Sequence, residues 1–378
     1  MKIAEAFQEW SPVLYTRYQE LISRWNTDID PNIFGHYQSY AWGDQHLPRP
    51  LLTWIGYLST STQATRSELD SLGDTVFLSQ LLRDLLAIHD DIVDEDRIKF
   101  GSPTLPVRLS ARTQEIKNWR DQSLNKQGKD LSLFFGDSLF SFILQVIMDS
   151  NHPETTKWKL LKLVEETNRL TQRGQIQELL LAEIPFTEIR MNHLLEVYRW
   201  KAGTYCYAFP FEIGCLVNGS IPIETQKKAS TLLTQIGAAS QIIDDIAGCF
   251  PEVLEQGKDT LGELLHLRRT VLLVDLAHQP HLSRRVQEIL KKSECSIQEA
   301  WILKKEMKKM GTLQRAVSLS KSLINNAEQQ ISNFGFSPIS TEYLTDLVYK
   351  RVTKNIERVI KGSEQIEKVQ LSTSEGDA

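Results

Sequence analysis

Apolar side chains recur at a spacing of three and four residues along most of the chain, which gives a helix one buried face. The alternating pattern that is typical of strands hardly occurs. Proline and glycine interrupt the helical pattern and divide it into separate segments. The predicted helices are 4–25, 50–60, 72–89, 107–121, 131–149, 155–181, 187–217, 223–249, 261–277, 284–292, 297–309, 311–334 and 341–362. This pattern predicts an all-α protein.

Two segments, 131–149 and 230–247, are apolar around nearly their whole circumference, as helices in the middle of a large fold are. The first is long enough to raise the question of a membrane span. Because Gly136, Asp137 and three serines interrupt it, we predict a buried helix and no integral membrane segment.

An acidic cluster follows the apolar helical run 81–88. It consists of Asp90, Asp91, Asp94, Glu95 and Asp96. On a helix, Asp90 and Asp94 would point the same way, about 6 Å apart. Mg²⁺ relieves the repulsion between such carboxylates and leaves room for phosphate oxygens. Taken alone, the cluster is equally well explained as a solvated acidic end of a helix.

A second acidic pair, Asp244 and Asp245, lies in another apolar helical segment. Gln241, Asp244 and Gly248 fall on one face of that helix. Two such pairs, far apart in sequence, suggest two helices that face each other across a cavity with metal between them. The metal would clamp a diphosphate, and catalysis would consist of positioning and neutralising a leaving group.

Composition narrows the classes of function. The net charge of -5 over 378 residues argues against nucleic acid as the main partner. The four cysteines show no metal-binding spacing, so we expect a reduced, cytoplasmic protein, and the first residues lack the apolar segment of a signal peptide. We expect one domain over 1–368 and a disordered polar tail over 369–378.

Six short motifs occur in a fixed order between about Trp42 and Thr270. They are 90–94, 99–104, 136–139, 174–179, 201–203 and 241–245. Their order and spacing resemble those of the trans-isoprenyl diphosphate synthase (polyprenyl synthetase) family. The resemblance implies a single large helical bundle of the isoprenoid synthase type around a central cavity. It also implies a prenyl diphosphate substrate and three Mg²⁺ ions, and the abundant apolar helix surface suggests a homodimer.

The resemblance also assigns roles to residues. Those expected to bind Mg²⁺ are Asp90, Asp91, Asp94, Glu178, Asp244 and Glu252. Those expected to hold the substrate are Arg49, Lys99, Arg199, Lys201, Gln241 and Arg268. The central catalytic positions would be Asp90, Asp94, Lys201 and Asp244.

The chain departs from this family where an elongating synthase binds isopentenyl diphosphate through basic residues. His46 stands in place of a lysine, and Phe100 in place of the second arginine after the first motif. Arg83 occupies a position where His or Gln is usual, and only Arg49 matches. Loss of a cation removes a charge-assisted contact, so this site looks eroded.

The second metal motif departs as well, because Gly248 stands in place of its third Asp. Glycine has no ligand atom in its side chain, so water would have to fill that place. Glu252 lies eight residues after Asp244 and resembles the last ligand of the class I terpene synthase motif. Pro251 tends to end a helix, so Glu252 is equally well explained as a loop residue.

These departures favour a class I terpene synthase, which would ionise a C15–C25 allylic diphosphate and let the cation cyclise or be quenched. The alternative is a trans-prenyltransferase, a geranylgeranyl or polyprenyl diphosphate synthase that adds isopentenyl diphosphate. A third hypothesis is a non-catalytic regulatory subunit of such a synthase. The intact first motif, Lys201 and Gln241 argue against the third.

Overall fold

A computed structural model describes residues 1–25, 30–41, 46–99, 102–110, 126–250 and 261–362. These residues are almost entirely helical, so the all-α prediction is confirmed. Two short strands, β1 (Ile98–Lys99) and β2 (Ser102–Pro103), pair antiparallel with Lys99 opposite Ser102. The predicted tail 369–378 lies outside the described residues.

Within the ranges that the structure describes, nineteen α-helices vary from a single turn to 29 residues in length. The first twelve are α1 (Ile3–Glu9), α2 (Ser11–Arg24), α3 (Pro31–Ala41), α4 (Pro48–Tyr57), α5 (Arg66–Leu72), α6 (Leu78–Val93), α7 (Leu105–Ser110), α8 (Lys126–Met148), α9 (Glu154–Ala182), α10 (Met191–Tyr198), α11 (Phe209–Asn218) and α12 (Ile223–Cys249). The remaining seven are α13 (Gly262–Leu265), α14 (Val271–Ala277), α15 (Arg284–Ile289), α16 (Ile297–Lys309), α17 (Thr312–Leu323), α18 (Ala327–Asn333) and α19 (Pro338–Val348). Two π-helical segments, Arg199–Ala208 and Tyr349–Thr353, follow α10 and α19.

Residue contacts divide the chain into two compact units. The first contains Met1–Asn168, Phe209–Gln226 and Phe336–Tyr343. The second contains Arg169–Ala208, Lys227–Gly335 and Leu344–Ala378.

In the first unit, α6 packs against α8, and α4 packs against α11. Glycines allow the second pair to approach closely. A Cβ atom on Gly56 would lie 2.2 Å from the carbonyl oxygen of Phe211, and one on Gly214 would lie 2.0 Å from that of Thr53. No larger residue fits at either position without moving a helix.

Helix α8 carries the apolar stretch in question. Among the described helices, it is the one long and apolar enough to cross a membrane by length and composition. Its inner face, which includes Leu139 and Ile143, is buried, as expected for a core helix that packs on α6 and α7. Its outer face leaves Leu133 and Phe134 exposed, which the sequence pattern does not distinguish.

In the second unit, α12 packs against the π-helical segment Arg199–Ala208 through two glycines. A Cβ atom on Gly237 would lie 2.4 Å from the Cα atom of Gly203, and one on Gly203 would lie 2.5 Å from the carbonyl oxygen of Thr234. This contact sets the distance between the helix that carries the second acidic pair and the segment that carries Lys201.

The structure differs from the sequence-based helices in missed helices, in divided helices and in the position of several helix ends. Helices α3 and α5 were not predicted. The predicted helix 311–334 is two helices, because Asn326 adopts a left-handed conformation with φ of 59°. The predicted helix 261–277 is likewise divided at Leu267, where φ is 46°. Asparagine tolerates this conformation, but the sequence gives no such signal at a leucine.

Candidate active site

Helix α6 ends at the first acidic motif. Asp94 is its C-cap residue, and the following Glu95 has a left-handed backbone conformation with φ of 56°. Asp90 and Asp94 are both half-buried and one turn apart, as predicted. Their carboxylates stand at the negative end of the helix dipole, which increases the need for a cation.

A close contact between helices supports this end of α6. A Cβ atom on Gly136 of α8 would lie 2.6 Å from the Nε2 atom of His89. Glycine at this position therefore lets α8 approach the residue directly before Asp90. This gives a physical reason for the glycine of the predicted motif 136–139.

Asp91 has a different environment from Asp90. Its side chain is buried, and the Nζ atom of Lys99 lies 2.6 Å from its Oδ1 atom. The hydroxyl of Tyr40 donates to its Oδ2 atom at 3.3 Å. Burial raises the pKa of Asp91 to about 6. Both oxygens of this predicted metal ligand therefore face protein donors.

Lys99 lies beside both aspartates. Its Nζ atom is 3.6 Å from the Oδ2 atom of Asp90, in addition to its short contact with Asp91. Because β1 carries Lys99 back towards the end of α6, the structure brings this predicted substrate-binding cation to the first motif.

The second acidic pair repeats this arrangement on α12. Asp244 is half-buried, whereas Asp245 is buried. The Tyr198 hydroxyl donates to the Oδ2 atom of Asp245, and the Nε2 atom of Gln241 donates to its Oδ1 atom at 3.2 Å. Burial and, to a lesser extent, the nearby charge of Glu263 raise the pKa of Asp245 to about 8.

Tyr198 also connects α12 to α14. The backbone N–H of Val271 donates to its hydroxyl at 3.3 Å. Sequence analysis missed both Tyr40 and Tyr198. Tyr198 directly precedes the predicted residue Arg199, but no local pattern marks either tyrosine as a partner of an aspartate.

Glu178 on α9 forms an ion pair with Lys201. Both side chains are partly exposed. A Cβ atom on Gly174 would lie 2.8 Å from the backbone nitrogen of Lys201, so glycine allows α9 to approach the π-helical segment here. The structure therefore brings these two predicted residues together, and Arg199 is half-buried at the start of the same segment.

The two arginines after α13 have different roles. Arg268 is exposed, and its Nη1 atom lies 3.8 Å from the Oε1 atom of Glu263. Arg269 instead donates to the backbone carbonyls of Leu181, Ala182 and Ile184 at the end of α9. These contacts assign Arg269 to the structure of the helix end.

Part of the predicted isopentenyl diphosphate site lies within the described residues. Arg83 is buried, and its Nη1 atom lies 2.9 Å from the Oδ1 atom of Asp84. The His46 ring packs on the Phe7 ring with centroids 5.4 Å apart. Arg49 is half-buried in the first turn of α4. Phe100, Pro251 and the predicted metal ligand Glu252 lie outside the described residues.

The donor atoms of the two motifs are suited to Mg²⁺. Within the described part of the chain, no three His, Cys, Asp or Glu side chains converge closely enough to hold an ion by themselves. The half-buried carboxylates at Asp90, Asp94 and Asp244 are hard oxygen donors. Mg²⁺ is commonly bound by one or two carboxylates together with phosphate oxygens and water, so this donor set fits.

Comparison with known proteins places this geometry in a family. The Polyprenyl synthetase family profile matches residues 45–307, which include both acidic motifs. The chain belongs to the polyprenyl synthetase family. The resemblance inferred from the short motifs is thereby confirmed.

Curated relatives within the polyprenyl synthetase family are distant in sequence. A geranylfarnesyl diphosphate synthase of Aeropyrum pernix is 26% identical over 190 residues, 50% of this chain and 53% of that protein. A geranylgeranyl diphosphate synthase of Methanosarcina mazei is 21% identical over 276 residues, 72% of this chain and 76% of that protein. The chain thus spans about half the length of the first curated relatives it matches.

Solved structures share the isoprenoid synthase fold with this polyprenyl synthetase. A geranylgeranyl pyrophosphate synthase of Corynebacterium glutamicum, complexed with isoprenyl diphosphate and magnesium, has a TM-score of 0.77 at 17% identity and covers 91% of this chain and 98% of its own. A decaprenyl diphosphate synthase of Rhodobacter capsulatus has a TM-score of 0.73 at 18% identity and covers 94% and 98%. At such identities the likeness shows the fold alone.

Proposed function

We propose that this polyprenyl synthetase is a trans-prenyltransferase of the geranylgeranyl or geranylfarnesyl diphosphate synthase type. It would join isopentenyl diphosphate to an allylic diphosphate. The departures of the sequence from the family favoured a terpene synthase. The curated relatives are named as geranylgeranyl and geranylfarnesyl diphosphate synthases, and they support the prenyltransferase alternative better.

The choice of reaction rests on the names of the curated relatives. The structural observation that supports ionisation of a diphosphate, the first step of that reaction, is the repeated environment of the two acidic pairs. In each pair the first Asp is half-buried and the second is buried against a tyrosine hydroxyl. Each unit thus carries a carboxylate held in a fixed orientation, with a lysine present in the same unit: Lys99 in the first and Lys201 in the second. Acidic pairs in such an environment suit the binding of a metal diphosphate better than solvated helix ends do.

The reaction would begin with loss of diphosphate from the allylic substrate. Bound Mg²⁺ would supply positive charge to the leaving group. Asp90, Asp94 and Asp244 would hold the metal, and Lys99 and Lys201 would neutralise diphosphate oxygens. The double bond of isopentenyl diphosphate would then attack the allylic carbon, and loss of a proton from the resulting cation would complete the longer prenyl diphosphate.

A product assay tests this proposal. Purified protein with Mg²⁺ would receive geranyl, farnesyl or geranylgeranyl diphosphate, each with and without isopentenyl diphosphate. A longer prenyl diphosphate formed only when isopentenyl diphosphate is present is the expected result. Hydrocarbon or alcohol formed without isopentenyl diphosphate would overturn it.

The second candidate remains a class I terpene synthase, and one contact favours it. Asp84 neutralises the buried Arg83, so this arginine adds little net charge to an isopentenyl diphosphate site. A terpene synthase has no need of that site. Either candidate reaction would use the predicted three Mg²⁺ ions.

A cytoplasmic homodimer is part of the same proposal. In the first unit, Phe134 and Trp158 are exposed to about seven tenths of their surface, and Leu133 and Met148 are also exposed. Exposed apolar side chains on neighbouring helices are typical of an interface. Light scattering coupled to gel filtration should give twice the mass of one chain, and Phe134→Glu should reduce it to the monomer.

A further inference from the structure

The space beside Gly248 is filled by the side chain of Glu263. A Cβ atom on Gly248 would lie 2.3 Å from the Cγ atom of Glu263 and 3.4 Å from its Cδ atom. Gly248 is buried in α12, one turn after Asp244, at the position where the third Asp of the second acidic motif is missing. Glu263 therefore runs along the surface that this third Asp would cover.

The carboxylate of Glu263 lies close to the acidic pair. Its charge acts on Asp245 and also on Cys249, whose pKa values are raised first by burial and then by Glu263. About a quarter of the Glu263 side-chain surface is exposed, so the side chain is accessible to a ligand. It enters from α13, which follows α12 in the chain, and not from α12 itself.

The surface ion pair between Glu263 and Arg268 does not explain why Glu263 lies against Gly248. The Nη1 atom of Arg268 lies 3.8 Å from the Oε1 atom of Glu263, and Arg268 is 44% exposed. Solvent-exposed pairs of this kind contribute about 0–1 kcal/mol. The ion pair with Arg268 would not require a glycine at 248. A glutamate side chain that reaches across α12 does require one.

We propose that Glu263 supplies the third carboxylate of the second metal-binding motif, in place of the Asp that Gly248 has lost. Glu263 then compensates for the Asp that is missing at 248, because the Glu263 side chain in its present position leaves no room for an Asp side chain there. The inference rests on the proposed function, because it requires the Mg²⁺–diphosphate site. It replaces the water that the sequence analysis placed beside Gly248.

Metal binding to the full chain tests the pair without an activity assay. Mn²⁺ binding would be followed by electron paramagnetic resonance at a fixed concentration of inorganic pyrophosphate, with a blank that lacks protein. We expect Glu263→Gln to weaken Mn²⁺ binding about tenfold or more, since even outer-shell partners of metal ligands contribute 10–100-fold. Glu294→Gln, an exposed acid of the same unit beside His266, is the control and should bind as the original chain does.

A second pair of variants separates ligation from a structural role. Glu263→Ala should bind Mn²⁺ weakly, and adding Gly248→Asp should restore binding, because the carboxylate returns from α12. If Glu263→Ala lowers the melting temperature and Gly248→Asp restores no binding, the role of Glu263 is structural and the inference is wrong.

Asp244→Asn distinguishes failure of this inference from failure of the proposed function. Weak binding by Asp244→Asn together with unchanged binding by Glu263→Gln would overturn the inference alone. Unchanged binding by Asp244→Asn would remove the metal site from the proposed function and the inference with it.

Discussion

At the scale of single residues, neighbouring aspartates of one motif have separate tasks. Successive residues of a helix point in different directions, so Asp90 and Asp91 cannot both face the same ligand in the same way. The structure leaves Asp90 half-buried and buries Asp91 against Lys99 and Tyr40. The sequence could predict that Asp90 and Asp94 share a face. It could not predict the tyrosine, because that contact joins residues about fifty positions apart.

Replacing Asp90 and Asp94 together by Asn should abolish Mg²⁺-dependent release of diphosphate. The change removes two charges from the negative end of α6 while keeping the size of the side chains. We expect kcat to fall by at least about 10²-fold, the usual loss when one electrostatic contact to a transition state is removed. Steady-state kinetics with a diphosphate-release assay measures this.

Asp130→Asn is the matched control for that double variant. Asp130 is exposed on α8 and pairs with Lys126 of the same helix. Its replacement should leave kcat unchanged. Retained turnover in the double variant would show that the first acidic motif does not bind the metal.

Asp84 provides a prediction on stability and pH. It is buried, and burial raises its pKa above the ordinary value of 3.8. The folded chain therefore holds this proton at a pH where the unfolded chain has lost it, so the free energy of unfolding falls as pH rises through that interval. The Tyr18 hydroxyl, which donates to Asp84 at 2.6 Å, opposes this loss by stabilising the charged form.

Tyr18→Phe should therefore be more destabilising at a high pH, at which Asp84 is ionised, than at a low pH, at which Asp84 holds its proton. We expect a loss of about 1.5–3 kcal/mol where Asp84 is ionised, the usual contribution of a hydrogen bond to a charged group. Urea unfolding at both pH values measures it. Tyr349→Phe, at an exposed tyrosine, is the control, and an equal loss at the two pH values would contradict the assignment.

At the scale of elements, helix type was more predictable than helix limits. The apolar periodicity of 72–89, 155–181 and 223–249 gave helices that the structure confirms as α6, α9 and α12, with shifted ends in α6 and α9 and the predicted ends in α12. Division of 311–334 depended on one left-handed residue, Asn326, and α3 lacks a pronounced apolar stripe. Close contacts between helices through Gly203 and Gly237 were not predictable, because they require knowledge of which helices are neighbours.

Gly237→Ala should destabilise the second unit. The added Cβ atom would lie 2.4 Å from the Cα atom of Gly203, which is backbone and cannot rotate away. Overpacking of this kind costs about 1–3 kcal/mol. Because the contact sets the position of the segment that carries Lys201, kcat should fall as well. Thermal unfolding and steady-state kinetics measure the two effects.

Gly35→Ala is the matched control in a helix. Its Cβ atom would meet nothing within 4 Å, so alanine should stabilise α3 by about 0.5–1 kcal/mol. Equal effects of the two substitutions would mean that the contact between Gly203 and Gly237 is not as close as described.

At the scale of the whole molecule, sequence and structure agree on the family and fold, while the choice of reaction depends on few residues. The acidic motifs are present in elongating synthases and resemble those of terpene synthases, so they do not separate the two. The basic residues that bind isopentenyl diphosphate do separate the two reactions. Among them, Arg49 is the one that matches the family and lies within the described part of the chain. Product length and ring pattern depend on cavity shape, which a linear sequence does not encode in readable form.

Arg49→Ala therefore distinguishes the two candidate reactions. In a trans-prenyltransferase, loss of this cation should raise KM for isopentenyl diphosphate about 10- to 100-fold, as expected for one charge-assisted contact, and leave KM for the allylic diphosphate nearly unchanged. Arg66→Ala, at an exposed arginine at the start of α5, should change neither value. Equal increases of both KM values would show that Arg49 acts through the fold. If product forms without isopentenyl diphosphate and Arg49→Ala has no effect, the cation is not captured by a second substrate, and cyclisation or quenching is the reaction.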